Sequence, residues 1–282
     1  MVSTSILKQS GTGFGWCINQ YVGCAHGCKY CYGMHMLHKD YDEWLKARAK
    51  NNVILNLEKD IRRLQKKDTY IGDIMLSSVT DSYQPIEREL KLTRQIVQTL
   101  EKWKLPFTIL TKNELVLRDI DLFKSYQWCR VGVTVISLDD NIRRDLEPFS
   151  SSVASRISVL KELNANGIST YVSIEPMLPI AESIPVNIVK ALRNHTNLFE
   201  FGMWTRYDTD VCDSKYAESF RDYVYRMRFE QVIAYCDKEH IDYGIAEHSR
   251  KFFEKYNLPF KTYPLLKSSK HSYQIQNLND FR

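Results

Sequence analysis

The sequence predicts an α/β fold built from repeated strand–helix units. Apolar runs rich in β-branched residues alternate with segments whose apolar residues recur every three or four positions, a pattern typical of a parallel sheet covered by helices. Hydrophobic residues occupy 44% of the 282 positions and charged residues 26%, the balance of a globular chain with a substantial core. Because no internal repeat, low-complexity segment or Gly/Ser-rich linker interrupts the pattern, one domain is the simplest interpretation.

Five segments have the composition of buried strands, and a shorter sixth follows them. In chain order they are residues 74–80, 107–112, 129–137, 169–177 and 199–204, and then 241–247. Barrels and open doubly wound sheets both collect ligands at the carboxyl ends of their strands. The polar residues that end these strands are therefore candidate ligand contacts, and they include Asp81, Lys112, Ser137 and Glu175.

Helices are predicted between the strands. Apolar residues recur at spacings of four and three over residues 53–64, and again over 86–100 after Pro85, a residue that suits the first turn of a helix. A third helix is predicted from residue 153 to Asn166-Gly167, a pair that commonly ends a helix. Residues 216–235 fit a further helix with one buried stripe.

Charge and end sequences limit the class of protein. A formal net charge of +5 permits a nucleic-acid surface but does not argue for one. No apolar run approaches the roughly 18 residues that span a bilayer, and the first residues lack the apolar core of a signal peptide. We therefore expect a cytoplasmic protein with no membrane partner. In that reducing compartment, closely spaced cysteines more often bind metal or do chemistry than form disulfides.

Three of the seven cysteines lie within eight residues, in the pattern Cys-x₃-Cys-x₂-Cys formed by Cys24, Cys28 and Cys31. A tight loop containing glycine turns three such thiolates toward one inorganic cluster. A structural zinc site is the alternative, since it needs four protein ligands and nearby side chains offer a fourth. The candidates for that fourth ligand are His26, His35, His38 and Cys17. The spacing alone leaves both kinds of site open.

This cysteine spacing, with Tyr30 directly before the last cysteine, resembles the signature of radical S-adenosylmethionine (SAM) enzymes. The resemblance implies a partial (βα)₆ barrel of the TIM type with a C-terminal extension. It also implies a 4Fe–4S cluster held by Cys24, Cys28 and Cys31, whose open iron binds SAM. An electron donor such as flavodoxin or ferredoxin would reduce the cluster, and cleavage of SAM would give a 5′-deoxyadenosyl radical.

Several further segments are similar to the spore photoproduct lyase-like branch of that family, whose members are often labelled DNA repair photolyases. The similarity covers about residues 15–205, so we expect a radical SAM core over residues 1–205 and an extension over 206–282, containing a helix and a short strand, packed on that core. The segments are residues 18–21 (INQY), 79–87 (VTDSYQPIE), 92–94 (LTR), 117–121 (LRDID) and 146–148 (LEP).

The resemblance also implies roles for single residues. Tyr30 matches the aromatic position that lies against the adenine of SAM. Lys112 and Ser137 resemble the strand-end residues that hold the carboxylate or ribose of the cofactor, for which an ammonium and a hydroxyl are suited. Asp81 and Glu175 would bind the methionine amine or the substrate, or would cap the helices that follow them.

One position departs from the branch. The spore enzyme uses a cysteine near the end of the second strand as a hydrogen donor, and Val79 occupies that place here. Because valine cannot donate a hydrogen atom as a thiol does, we expect no efficient repair of the spore photoproduct. Cys212, which follows the last strand of the core by a short loop, is the candidate substitute donor.

The substrate class stays open at the level of sequence. A nucleic-acid base, a peptide and a small metabolite are the candidates for hydrogen abstraction. Because no second cysteine-rich domain of the kind found in peptide maturases is visible, the nucleic-acid and small-molecule alternatives are favoured. A non-catalytic zinc-binding interaction module is the alternative outside enzymology.

Overall fold

The computed structural model describes residues 5–10, 15–180, 183–196, 198–204 and 222–262. The strands in these residues are β1 (Leu7–Gln9), β2 (Trp16–Ile18), β3 (Tyr21–Val22), β4 (Arg48–Ala49), β5 (Ile74–Leu76), β6 (Phe107–Thr111), β7 (Cys129–Thr134), β8 (Thr170–Met177), β9 (Phe199–Met203) and β10 (Tyr243–Ile245).

The α-helices of the same residues are α1 (Tyr32–Met36), α2 (Tyr41–Leu45), α3 (Val53–Lys66), α4 (Glu87–Leu90), α5 (Leu92–Lys102), α6 (Ile120–Ser125), α7 (Asp140–Leu146), α8 (Val153–Ala165), α9 (Pro185–Leu192), α10 (Asp222–Lys238) and α11 (Arg250–Lys255). Short 3₁₀ turns cover Glu114–Asp119 and Glu247–Ser249. None of the helices in these ranges combines the length and apolarity that crossing a bilayer requires.

Within the described residues, eight strands form one open sheet in the order β1-β2-β5-β6-β7-β8-β9-β10. β1 pairs antiparallel with β2, and every other pair in this sheet is parallel. The first six parallel strands, β2 and β5–β9, correspond to the predicted partial barrel, and β10 extends the sheet beyond β9. The predicted α/β fold is confirmed, because parallel strands joined by helices dominate the sheet and its two edges do not meet.

The register of the sheet separates an apolar face from a polar one. Ile109, Val131 and Phe201 share the face that packs on helices and are fully buried. The alternating residues face the other way, and on β7, β8 and β9 they align Thr134, Ser173 and Glu200 in one row. A polar interior of this kind is the part of a barrel in which ligands bind.

Elements predicted from periodicity are present with changed bounds. β5 ends at Leu76 rather than at residue 80, because Ser77 adopts a left-handed backbone with φ of 58° and turns the chain. The helix predicted over residues 86–100 is two helices, α4 and α5, separated at Lys91, which has φ of 49°. The stop predicted at Asn166-Gly167 is confirmed, since α8 ends there and Gly167 has φ of 72°.

Candidate cluster and cofactor site

The three clustered cysteines lie on a loop that follows β3 and ends at the start of α1. Its path depends on Gly23 and Gly27, which have φ of 80° and 62°. A Cβ atom on Gly23 would lie 2.6 Å from the carbonyl oxygen of Trp44, so a larger residue does not fit there. The same carbonyl accepts the backbone N–H of Cys24 at 2.9 Å, which fixes the first thiol against α2.

The three thiols lie close enough to influence one another. Burial raises the pKa of the Cys28 thiol well above its ordinary value, and nearby Cys31 and Cys24 add to this while Lys112 opposes it. Burial and the neighbouring Cys24 raise the pKa of Cys31 as well, although the backbone N–H groups at the start of α1 lower it. Without a metal the Cys28 and Cys31 thiols are therefore protonated, and cluster binding must release their protons.

Two buried side chains connect this loop to the segment after β5. Gln84 is fully buried, accepts the N–H of Ala25 at 3.0 Å and donates to the carbonyl of Gly23 at 3.1 Å. The His26 ring lies 3.3 Å from a carboxylate oxygen of Asp81. Burial disfavours the charged imidazole, but Asp81 and Cys24 outweigh it and raise the pKa of His26 to about 10.

Asp81 already has partners for both carboxylate oxygens. Besides His26, it accepts the Thr111 hydroxyl at 2.7 Å and the backbone N–H groups of Tyr83 and Lys112 at 2.7 and 2.8 Å. It therefore joins the cysteine loop to the end of β6. Direct contact between Asp81 and a cofactor remains a prediction.

Tyr30 is held by a buried ion pair from the far side of the loop. Its hydroxyl donates to Glu147, and Glu147 pairs with Arg156, with both members of that pair almost fully buried. The Tyr30 ring lies edge-on to Trp204 at a centroid distance of 6.0 Å. The ring is thus oriented at the carboxyl end of the sheet, where the adenine contact predicted for Tyr30 would be made.

Lys112 lies beside this group. Its ammonium donates to the Thr134 hydroxyl at 3.3 Å and lies 4.0 Å from Glu147 and 5.8 Å from the centroid of the Tyr30 ring. Ser137 is buried, and its hydroxyl accepts the backbone N–H of Asp139 before α7. The structure thus brings Lys112 to the cysteine loop, while the contact seen for Ser137 is local to its turn.

Glu175 lies on β8 in a second polar group. Its carboxylate is 3.4 Å from Nδ1 of His248, and the His248 Nε2 contacts the carbonyl oxygen of Met203 at 2.9 Å. Burial, followed by the nearby Glu175, raises the pKa of Glu200 to about 8. Gly202 leaves the required space, because a Cβ there would approach Glu175 and His248 to about 3 Å.

The proposed hydrogen donor Cys212 lies outside the described residues. Val79 is described: it packs with Cys24 and Cys31, and its Cγ1 lies 2.9 Å from where a Cβ on Gly33 would be. The position at which the spore enzyme is expected to have its donor cysteine therefore lies beside the cysteine loop. Cys129 opens β7, at the amino-terminal end of the sheet, as the sequence predicted.

The residues of the loop fit a four-iron cluster. No three His, Cys, Asp or Glu side chains in the described ranges converge on one ion. A four-iron cluster does not require this, because each of its thiolates binds a different iron. The indole Nε1–H of Trp44 is buried against the loop without a hydrogen-bond partner in the described part of the chain, as expected beside an acceptor supplied from outside the protein.

Sequence reasoning assigned no role to Gln84, Trp44, Glu200 or His248. Gln84 stands inside the matched segment 79–87, but its two bonds to the loop join residues about sixty positions apart. Glu200 lies near Glu175 because β9 pairs with β8. His248 reaches Glu175 from the 3₁₀ turn Glu247–Ser249. Spacing along the chain carries no signal for contacts of this range.

Comparisons with known proteins agree with this arrangement. Residues 18–184 match the radical SAM superfamily. An uncharacterized protein of Methanocaldococcus jannaschii is 38% identical over 189 residues, which are 67% of this chain and 70% of that protein. A radical SAM Nalpha-GlyT isomerase of Pseudomonas phage M6 is 24% identical over 156 residues, 55% of this chain and 32% of that protein.

Two solved structures share the fold. Spore photoproduct lyase complexed with dinucleoside spore photoproduct has a TM-score of 0.59 at 16% identity, covering 82% of this chain and 78% of that one. Streptococcus suis SuiB bound to S-adenosylmethionine has a TM-score of 0.61 at 13% identity, covering 87% and 53%. Because the family match runs from β2 through β8 and includes the cysteine loop, this chain belongs to the radical SAM superfamily.

Proposed function

We propose that this radical SAM enzyme abstracts a hydrogen atom from a base in a nucleic acid. Enzymes of the superfamily use a 4Fe–4S cluster and SAM, and these are the cofactors of this chain. In the proposal Cys24, Cys28 and Cys31 hold the cluster, and flavodoxin or ferredoxin reduces it. When bound, the cluster and SAM supply the radical that takes hydrogen from the substrate.

The residues around the loop have separate tasks in this proposal. Tyr30, oriented through Glu147, lies against the adenine, and the Lys112 ammonium pairs with the carboxylate of the cofactor. Ser137 holds the ribose, and Asp81 acts through His26 and the end of β6 as a positioning residue. Glu175, at the carboxyl end of β8, contacts the methionine amine or the substrate.

The observation that carries the choice of substrate is an exposed aromatic ring at the rim of the site. Phe149 is 58% exposed, although its backbone N–H donates to the carbonyl of His26 at 3.3 Å and its ring packs on the loop at Gly27. The preceding helix α7 adds the exposed guanidinium of Arg144. An exposed ring that follows a helix bearing an exposed cation suits stacking with an unpaired base and contact with its phosphate.

The known proteins support a base as the substrate without defining the reaction. Spore photoproduct lyase has been solved with a dinucleoside lesion, and its fold covers most of this chain. Val79 in place of the donor thiol argues for a different outcome from the lyase reaction. In the proposal Cys212 gives a hydrogen atom to the substrate radical, and the electron donor of the enzyme, together with a proton, reduces the resulting thiyl radical back to the thiol. The C-terminal extension, residues 206–282, packs on the core.

The test is an anaerobic screen with deuterated substrates and reduced enzyme, scored by deuterium found in 5′-deoxyadenosine. A single-stranded oligonucleotide with deuterated bases is expected to transfer label, and a duplex carrying spore photoproduct is expected not to be repaired efficiently. Phe149→Ala should raise KM for the oligonucleotide roughly 5- to 150-fold, because stacking contributes about 1–3 kcal/mol per base.

Tyr70→Ala is the matched control, since Tyr70 is 64% exposed but precedes β5 at the amino-terminal side of the sheet. Label arriving from a peptide or metabolite arm, with none from the oligonucleotides, would contradict the proposed substrate class. Repair of the duplex lesion over many turnovers by both the native protein and Cys212→Ala would contradict the reasoning about Val79, because it would show that no cysteine donor is required.

A further inference from the structure

Trp44 lies on α2, and its side chain packs against the cysteine loop. Its side chain is 1% exposed and packs in one apolar cluster with Cys24, Met34 and Cys31. Its ring carbon Cη2 lies 3.0 Å from where a Cβ on Gly33 would be, and its carbonyl accepts the N–H of Cys24. The indole is therefore wedged between the loop and the start of α1.

The polar atom of this ring has no partner in the described part of the chain. The Nε1–H of Trp44 is buried and makes no hydrogen bond among the described residues, with sulfur atoms included as acceptors. An indole can only donate, and leaving such a donor unpaired in the interior destabilises the folded protein. Phenylalanine would fill most of this space without that cost, so the N–H calls for a functional explanation.

We propose that the Trp44 Nε1–H donates a hydrogen bond to a sulfur atom of the iron–sulfur cluster. The inference rests on the proposed ligands Cys24, Cys28 and Cys31, whose bound cluster would occupy the space beside the indole. Cluster sulfur atoms are anionic acceptors, and each electron added makes them better ones. The bond therefore stabilises the reduced cluster more than the oxidised cluster and raises the reduction potential.

The chain offers a matched control at Trp103. Its indole Nε1–H is also buried, with no hydrogen-bond partner among the described residues. The ring follows α5 and lies under the guanidinium of Arg62, at 5.2 Å from the ring centroid. Trp103→Phe removes the same kind of atom away from the cysteine loop. Comparing the two variants separates loss of a cluster contact from loss of any buried N–H.

The experiment compares native protein, Trp44→Phe and Trp103→Phe after anaerobic reconstitution. Trp44→Phe is expected to lower the midpoint potential of the cluster at unchanged iron and sulfide content, and to speed cluster loss to a chelator roughly tenfold. The metal-free variant should be as stable as native metal-free protein or more so, because its unpaired donor is gone. Trp103→Phe should leave the potential unchanged.

An unchanged potential in fully loaded Trp44→Phe would overturn the inference and would favour a trapped water molecule as the partner. If Trp44→Phe does not retain a cluster, the inference is tested on native protein whose tryptophan indoles are labelled with ¹⁵N. Pulsed electron paramagnetic resonance of the reduced cluster should then detect an indole nitrogen coupling, and its absence would overturn the inference. Native protein that binds no iron would instead contradict the ligand assignment, independently of Trp44.

Discussion

The ammonium of Lys112 lies among groups that determine its charge. Burial lowers the pKa of Lys112, but Cys28, whose sulfur is anionic as a cluster ligand, and Glu147 outweigh burial and raise it overall, so the side chain stays cationic. Glu147 keeps Arg156 as its main partner at 2.5 Å. The ammonium is therefore available to a second anion, and the carboxylate of SAM is the anion that we assign to it.

Lys112→Ala should weaken SAM binding and leave the cluster in place. Removing a charge-assisted contact in a partly buried site costs about 1–3 kcal/mol, which corresponds to roughly a 5- to 150-fold rise in Kd. Calorimetric titration of the reconstituted protein measures it. Lys112→Arg should retain part of the affinity, and Lys124→Ala, on the exposed side of α6, should bind as native protein does. Equal affinities of Lys112→Ala and native protein would exclude the contact.

The sequence predicts the position in the site of some residues but not of others. The cysteines and Tyr30 follow from a short spacing, and Lys112 from the rule that ligands meet strand ends. The same rule selects Asp81, but four protein donors surround its carboxylate, and no pattern in the sequence reveals that. Arg156 pairs with Glu147 in the interior, and no spacing in the sequence indicates that this pair would orient Tyr30.

At the scale of elements, β8 and β9 bring two carboxyl groups together in the polar interior. Glu200 is 6% exposed and faces Glu175 and Ser173 on β8 and Arg130 on β7. Burial and Glu175 raise its pKa to about 8, although Ser173 and Arg130 oppose the change. At neutral pH Glu200 is therefore mostly protonated, while Glu175 faces His248.

This shift predicts a pH dependence of stability. The unfolded chain releases the Glu200 proton near pH 4.3, the ordinary value, whereas the folded protein keeps it to about pH 8. The stabilising contribution is thus complete below about pH 4 and declines as pH rises to about 8, by up to about 1.4 kcal/mol per pH unit.

Glu200→Gln should remove that decline. Urea unfolding is measured at several pH values between 5 and 8. As the pH rises, the free energy of unfolding of the variant should increase relative to that of native protein. Glu89→Gln, at an exposed position of α4, serves as the control and should follow the native curve. A constant difference between Glu200→Gln and native protein across this range would show that Glu200 titrates normally.

Element boundaries depart from the sequence pattern where the backbone leaves its regular conformation. Ser77 and Lys91 adopt positive φ angles, which residues of their types rarely do. For this reason β5 is short and residues 86–100 form two helices. Strands β1 and β2 were not predicted, because three residues each give too little alternation to detect. Long amphipathic helices such as α3 carry a clear signal and match their prediction.

At the scale of the whole molecule, the open sheet gathers the cysteine loop, Lys112 and Glu175 at the carboxyl ends of its strands. Repetition of strand–helix units predicted this architecture, since each parallel crossover needs a covering helix. The place of β10 in the sheet could not be predicted from the sequence. Its pairing with β9 joins residues that are about forty positions apart, and no local pattern indicates such a contact. The division between residues 205 and 206 stays a prediction.

The central claim is that Cys24, Cys28 and Cys31 hold the cluster, and replacing all three by alanine tests it. Iron and acid-labile sulfide are measured after anaerobic reconstitution of native protein, the triple variant and Cys129→Ala, whose thiol is buried at the start of β7. Native protein and Cys129→Ala should contain about four irons per chain, and the triple variant none. A triple variant that retains the full complement of iron and sulfide would contradict the account.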